Sequence, residues 1–215
     1  MQWNVVHLGV PFLVGFLLGS IPFGLLLTRA AGLGDIRNIG SGNIGATNVL
    51  RTGNKKLAAA VLVLDAAKGL AAVLLASTFG PLAAVAAGLG AVLGHMFTPW
   101  LSFRGGKGVA TTLGVLWGLN WLLGAAACLL WLLCAAVFRY SSLAALISVA
   151  LAGALSWLLL DWRAALIVTL MVPLVFIRHH ENISRLLAGT ESKIGQKSEP
   201  KPTMGHNNGP TVNAR

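Results

Sequence analysis

Apolar residues gather into long unbroken runs at 5–28, 57–76, 81–98, 109–138, 143–160 and 164–177. Within these runs polarity does not alternate residue by residue, so they read as helices rather than barrel strands, which alternate along ~10-residue segments. About 20 apolar residues cross a bilayer once as a helix. The run 109–138 carries no charge. As a single helix it would be about 45 Å long, well beyond a ~30 Å hydrocarbon core. Gly118-Leu119-Asn120 interrupts it, which predicts a short helix over 109–118 and a longer one over 121–138. The pattern is that of an all-α polytopic membrane protein with seven transmembrane helices. The short helix cannot span unaided and has to be enclosed by protein or thin the bilayer locally.

Charge sets the orientation. A signal peptide would carry its positive charge ahead of a shorter apolar run. Here Arg29 follows residues 5–28, so the first run reads as a retained span with the N-terminus outside. With seven spans, the cytoplasmic parts are then 29–56, 99–108, 139–142 and 178–215, and the C-terminus is cytoplasmic. These parts hold fourteen of the sixteen Lys and Arg residues, as the bias of basic residues toward cytoplasmic loops requires. Without the break at Gly118–Asn120, the basic C-terminal segment would fall outside.

Only 10% of residues are charged and the mean hydropathy is +0.77. Soluble domains carry about 25% charged residues, so an ordinary soluble enzyme and a disordered chain are both excluded. The net charge of +10 is spread over several short loops, which speaks against nucleic acid as a partner. Cys128 and Cys134 lie within an apolar run and read as small buried hydrophobes, not as a disulfide or zinc site. Residues 1–194 form the seven-helix domain. Residues 195–215 are polar, rich in Pro, Gly, Asn and Lys, and read as a disordered cytoplasmic tail.

Three cytoplasmic segments combine glycine, amide and base. In the first, Gly40, Gly42 and Gly45 permit tight turns that aim N–H groups at one point, a nest suited to phosphate oxygens. Ser41, Asn43, Thr47 and Asn48 add donors there, and Arg51 adds a planar fork. A flexible Gly/Asn linker would have the same composition. The second segment, Gly94-His95-Met96-Phe97-Thr98-Pro99 and then Phe103-Arg104-Gly105-Gly106-Lys107-Gly108, enters the short helix, where free N–H groups and a partial positive charge collect. It is not a Walker A loop, because Leu101 and Gly108 stand where that pattern needs Gly and Ser or Thr. Two ordinary cytoplasmic bases beside a helix cap are its plain alternative.

The third segment runs from Arg178 to Lys193. Ile183, Leu186 and Leu187 keep helical spacing, so the last span continues as an interfacial helix. His179 and Asn182 share a face. Adjacent His179 and His180 invite a metal reading, but no second cluster completes a site, and metal: none is the expectation. Within the second run, Asp65 and Lys68 are three residues apart on one face. Intramembrane charges of this kind are functional-site candidates, and equally a structural pair. Tyr140, Ser141 and Ser142 stand at a cytoplasmic helix junction and can line the same site.

The three segments fall on one membrane face and each brings a base. Together they describe an anion site at the cytoplasmic mouth of a helix bundle, open sideways to lipid. A transporter or channel for a phosphorylated anion shares such a vestibule, but it needs polar residues along a through-path, and the outer half of this chain is almost wholly apolar.

The runs Gly40-Ser41-Gly42-Asn43-Ile44-Gly45-Ala46-Thr47-Asn48, Phe103–Gly108 and His179-His180-Glu181-Asn182-Ile183-Ser184-Arg185-Leu186 closely resemble the three motifs of the bacterial acyl-phosphate:glycerol-3-phosphate acyltransferase family. The likeness covers about residues 5–194. Where that family usually has His-Arg-Glu-Asn, this chain has His-His-Glu-Asn. The resemblance implies a seven-helix inner-membrane enzyme with a cytoplasmic active site. It would transfer a fatty acyl group from acyl phosphate to the first hydroxyl of glycerol 3-phosphate, giving lysophosphatidic acid and inorganic phosphate, the first step of phospholipid synthesis. It implies no metal or organic cofactor, and a soluble acyl-phosphate-forming enzyme as a transient partner. A small closed bundle suggests a monomer in the lipid bilayer.

The motif match gives the roles. Ser41, Asn43 and Arg51 hold the acyl-phosphate group. Lys107 and Arg104 hold glycerol 3-phosphate, and His179 and Asn182 orient its hydroxyls. Gly42, Gly45, Thr47, Asn48, Gly105, Gly106 and Ser142 complete the phosphate contacts, with Asp65 and Lys68 as intramembrane support. The His-x₄-Asp pair of other glycerolipid acyltransferases is missing, because the residues five beyond the histidines are Phe12, Trp100, Ser184, Arg185 and Thr211. His179 is the protein's best candidate base, and a phosphate oxygen of the donor is the alternative.

Overall fold

The computed structural model describes residues 5–196, and the secondary structure among them is helical throughout. α1 (Val5–Gly19) and α2 (Phe23–Ala30) are followed by a 3₁₀ turn (Ile36–Asn38) and a short α3 (Ala46–Leu50). α4 (Lys55–Ser77), α5 (Pro81–Met96), a second 3₁₀ turn (Pro99–Leu101), α6 (Val109–Leu119), α7 (Trp121–Phe138) and α8 (Ser141–Leu159) come next. α9 (Trp162–Arg178) and α10 (His180–Leu187) close the chain. Five stretches are long and apolar enough to cross a membrane: Val6–Ala30, α4, Pro81–Leu101, α7 and α8. A sixth is reached if α9 and α10, bent by 63° at His179, count as one broken span. The expected disordered tail lies outside the described residues from 197 on.

Asn120 breaks the long apolar run as its sequence suggested. Its backbone is extended, and its Oδ1 accepts from the N–H groups of Leu122 (2.9 Å) and Leu123 (3.3 Å), capping α7. The short α6 before it packs against α4, α5 and α7, and Thr111, Thr112, Gly114, Val115 and Leu116 are buried. This enclosure satisfies a helix too short to span. α4 and α6 cross at two glycines. A Cβ on Gly69 would stand 2.3 Å from the Thr111 carbonyl oxygen, and one on Gly114 1.9 Å from that of Ala66. α1 and α5 approach in the same way through Gly15, Gly19, Gly90 and Gly94. Close backbone contact is how helices associate where lipid removes the hydrophobic drive.

The first apolar run, expected as one uninterrupted span, is broken at Ser20-Ile21-Pro22. Proline cannot continue the i→i−4 ladder and disfavours helix in the residue before it. The freed groups find partners elsewhere in the bundle, as lipid demands. Thr98 Oγ1 donates to the Ser20 carbonyl (2.7 Å) and Lys68 Nζ to that of Ile21 (2.9 Å). Trp100 Nε1 donates to Ser20 Oγ (2.9 Å).

Two cores position the site. One, through α5, α6, α8 and α9, buries Val92, Met96, Val115, Val149, Met171 and Val175. The other fixes the segment between α2 and α4 to the bundle: Ile36, Ile44 and Val49 are buried against Leu25, Val61 and Leu101. Cys128 and Cys134 are half-buried, not core residues, and Trp117 Nε1 lies 3.3 Å from Cys128 Sγ.

Candidate active site

The first motif is a loop closed by one amide. Asn48 is buried, and its Nδ2 donates to the carbonyls of Ile36 (3.0 Å), Ile39 (2.9 Å) and Asn43 (2.8 Å). Its Oδ1 accepts from the Ser41 N–H (3.0 Å) and Oγ (3.3 Å), and from Arg51 Nη1 (3.5 Å). Gly42 takes a positive φ of 74°, and its N–H donates to the Ile39 carbonyl. Asn48 thus holds Ser41 and Arg51 in register. Arg51 also donates to Ser192. Burial lowers its pKa, but a guanidinium stays charged.

The second motif differs from the expectation of free N–H groups. The Gly105 N–H donates to the Met96 carbonyl (3.1 Å) and the Gly106 N–H to that of His95 (2.9 Å), so neither is left for phosphate. Their carbonyls are held from the other side by Arg178, whose Nη2 donates to Gly105 (2.8 Å) and Nε to Gly106 (3.1 Å). These glycines serve close approach. A Cβ on Gly105 would stand 2.1 Å from the His95 carbonyl oxygen. Arg104 is exposed and does not line the cavity. Lys107 does line it, half-buried, and burial lowers its pKa to about 8.

The bend between α9 and α10 turns the third motif inward. His179 and Asn182 are buried, while His180 is exposed. His179 Nδ1 lies 2.7 Å from the Val175 carbonyl, an acceptor, so Nδ1 carries the proton and Nε2 is the free lone pair. Burial lowers the His179 pKa to about 4, leaving the ring neutral at pH 7. Asn182 Oδ1 accepts from Lys107 Nζ, and its Nδ2 donates to Glu191 Oε1 (2.6 Å).

Glu191 is the node here. Ser142 Oγ donates to its Oε1 (2.7 Å) and Arg185 Nε to its Oε2 (2.7 Å). Burial alone would raise this carboxyl; the bonds from Asn182, Ser142 and Arg185 outweigh burial and hold it below its ordinary value. Thr47 Oγ1 and Ser141 Oγ, 2.9 Å apart, join α3 to the start of α8.

All three motifs open on one cavity of about 340 Å³. Its polar wall carries Ser41, Asn43, Arg51, Lys107, His179 and Asn182. Its apolar wall is formed by Leu62, Leu113, Trp131, Leu132 and Ala145 of α4, α6, α7 and α8. Residues 191–196 line it as well. Cations beside an apolar slot suit a ligand with an anionic head and a hydrocarbon body.

A family model described as glycerol-3-phosphate acyltransferase matches residues 10–189. The chain belongs to that family. Glycerol-3-phosphate acyltransferases of Mesorhizobium japonicum and Sinorhizobium fredii are 63% and 60% identical to it over 183 residues, covering 85% of this chain and 94% and 90% of theirs. That of Brucella ovis is 56% identical over 195 residues, 91% of this chain and 96% of its own. Two crystal structures of PlsY (YgiH), an integral membrane glycerol 3-phosphate acyltransferase, share the fold. The glycerol 3-phosphate form has a TM-score of 0.83 at 37% identity, and the lysophosphatidic acid form 0.81 at 35%. Each covers 87% of this chain, and 96% and 95% of its own.

This glycerol-3-phosphate acyltransferase brings together Ser41, Gly45, Thr47, Arg51, Lys107, Ser142, His179 and Asn182 around the cavity. Asn48 also lines it, but its side chain is occupied in closing the first loop. Gly42, Arg104, Gly105 and Gly106 are outside the lining. Lys68 is buried away from it, paired to Asp65 at 2.8 Å, while Asp65 reaches the cavity. Sequence reasoning gave no role to Glu191, Arg178, Arg185 or His95. The signal for Glu191 was an acid, the second after Glu181, in the basic segment Arg178–Lys193.

Proposed function

We propose that this membrane acyltransferase moves a fatty acyl group from acyl phosphate to the sn-1 hydroxyl of glycerol 3-phosphate, releasing inorganic phosphate and lysophosphatidic acid. The observation that carries the reading is the convergence of Arg51 and Lys107 on the polar wall of one small cavity whose other wall, from α4, α6, α7 and α8, is largely apolar. Both substrates bring phosphate, which is close to dianionic at neutral pH (second pKa about 6). Two such groups need cations beside and between them. Arg51, with Ser41 and Asn43, binds the acyl-phosphate head. Lys107 binds glycerol 3-phosphate, while Ser142, whose hydroxyl donates to Glu191, lines the same cavity.

The hydroxyl oxygen forms a bond to the acyl carbonyl carbon, the bond from that carbon to the phosphate oxygen breaks, and phosphate leaves with the hydroxyl proton. Acyl phosphate is already activated, so no acyl-enzyme is needed. The protein's task is orientation and charge stabilisation. His179 is neutral and held at Nδ1, so its Nε2 can accept the hydroxyl hydrogen bond and aim the oxygen. With a pKa of about 4 it is a poor proton acceptor. The departing phosphate gains basicity as its bond to carbon breaks, and takes the proton. The acyl chain leaves the cavity along Trp131 and Leu132, into the bilayer.

In this reading the chain crosses the inner membrane seven times, with α6 as the short fourth crossing, the N-terminus outside and the site facing the cytoplasm. A soluble acyl-phosphate-forming enzyme supplies the donor, and the protein works as a monomer. The test combines purified protein, glycerol 3-phosphate and palmitoyl phosphate, with parallel arms holding palmitoyl-CoA and palmitoyl-acyl carrier protein. Lysophosphatidic acid in the first arm alone is the expected result. Product from either other donor at equal rate overturns the donor assignment.

A further inference from the structure

Asp65, Lys68 and His95 bury ionisable groups inside the bundle, with side chains 3%, 3% and 4% exposed. Burying ions costs several kcal/mol each unless they are paired, and ionisable groups within spans usually serve function. Lys68 has a fold-level duty, since it caps the Ile21 carbonyl at the break in the first span. Asp65 Oδ1 neutralises it at 2.8 Å. That pair would be complete without His95.

His95 joins it from α5. Its Nδ1 faces Asp65 Oδ1 at 3.6 Å. The opposite edge of the ring lies against the second motif: a Cβ built on Gly106 would stand 2.1 Å from His95 Nε2, and 2.9 Å from each of Cδ2 and Cε1. These three ring atoms are its nearest neighbours. Gly106 does not have a positive φ, so the imidazole, and not backbone strain, is the first thing a side chain there would meet. The residue after Gly106 is Lys107. A line of contacts therefore runs from the Ile21 carbonyl through Lys68, Asp65 and the His95 ring to the backbone that carries Lys107.

We propose that His95, which faces the Asp65–Lys68 pair, is a positioning residue for Lys107. Its ring is the floor on which Gly106 sits, and it sets how far the Lys107 ammonium reaches toward the phosphate of glycerol 3-phosphate. This rests on the reading in which Lys107 binds that phosphate. Asp65 Oδ1 faces Nδ1 across 3.6 Å, beyond hydrogen-bond reach, and acts on the ring by charge rather than through a bond. Gly106 is glycine because of the ring, not because a phosphate needs its N–H, which already donates to the His95 carbonyl.

The test is a double-mutant cycle on the full chain, assayed with glycerol 3-phosphate and palmitoyl phosphate. His95→Ala should raise the KM for glycerol 3-phosphate about tenfold and leave that for palmitoyl phosphate within about twofold, since misplacement by a fraction of an ångström is costly. Gly106→Ala should raise the same KM by at least as much. In the double variant the ring is gone and the new methyl has room, so the two losses should not multiply, and activity should exceed that of Gly106→Ala alone. His95→Gln, which keeps bulk and a polar tip, should recover part of the His95→Ala loss. Asp65→Asn with Lys68→Met, which removes both charges without leaving one unpaired, should shift the same KM. Multiplicative losses, or equal changes in both KM values, overturn the inference. Wild-type protein inactive with palmitoyl phosphate would instead overturn the underlying reading.

Discussion

The Lys107 ammonium rests on the side-chain oxygen of Asn182, a residue 75 positions later in the chain. The same amide donates to Glu191. One asparagine thus aims a cation with one end and is itself held by an acid with the other. Asn182→Ala should lower kcat/KM about a hundredfold by releasing Lys107. Asn182→Asp still offers Lys107 a partner but sets a second carboxylate against Glu191, and should lose as much. Steady-state kinetics on membrane fractions matched for protein content check both.

The lowered pKa of Lys107 has a consequence for pH. An amine with a pKa near 8 is charged below that value and loses its charge as pH rises through it. The KM for glycerol 3-phosphate should therefore climb above about pH 8, earlier than an ordinary lysine would dictate. Lys107→Arg keeps the charge at all these pH values, so the climb should vanish even though the baseline KM is worse. A KM measured across pH 6.5–9.5 for both proteins decides this.

Arg178 grips both carbonyls of the Gly105–Gly106 turn. Hydrogen bonds from a charged donor contribute about 1.5–3 kcal/mol each. Arg178→Leu should lower stability by about 3–6 kcal/mol, from two such bonds, and raise the KM for glycerol 3-phosphate by loosening the turn before Lys107. Arg178→Lys, lacking the fork, should fall between. Thermal unfolding in detergent and the KM together report the two effects.

Glu191 accepts from three side chains, Ser142 at the start of α8 and Asn182 and Arg185 on α10. Glu191→Gln removes the charge and turns an amide N–H toward other donors, and should cost about 3 kcal/mol of stability as well as activity. Because the native carboxyl titrates below its ordinary value of 4.5, its contribution is full above that range and disappears as pH falls through the lowered value. The wild type should therefore lose more stability on acidification than Glu191→Gln does, seen as a narrowing gap in melting temperature.

Much of the bundle was legible because lipid enforces simple rules. The charge-free run 109–138 was too long for one crossing, and Asn120 has the side chain to cap the next helix. The break at Ser20–Pro22 went unread because its partners, Lys68, Thr98 and Trp100, lie 47 to 80 residues away. At the site, the polar residues on one face were readable from composition, and Lys107, Arg51, His179 and Asn182 do meet. The purpose of each was harder to read. Glycine in a basic loop looks the same whether it frees an N–H for an anion or lets a backbone slip beneath a histidine ring. Only the tertiary neighbours of Gly105 and Gly106 distinguish the two.

The break in the first span also orders events during synthesis. The Ser20 and Ile21 carbonyls emerge from the ribosome long before the side chains that satisfy them, of which the last, Thr98, arrives 78 residues after Ser20. Until then the nascent first span carries unmet polar groups that hydrocarbon penalises. Its final packing therefore waits on Lys68 of α4 and on Thr98 in the turn after α5.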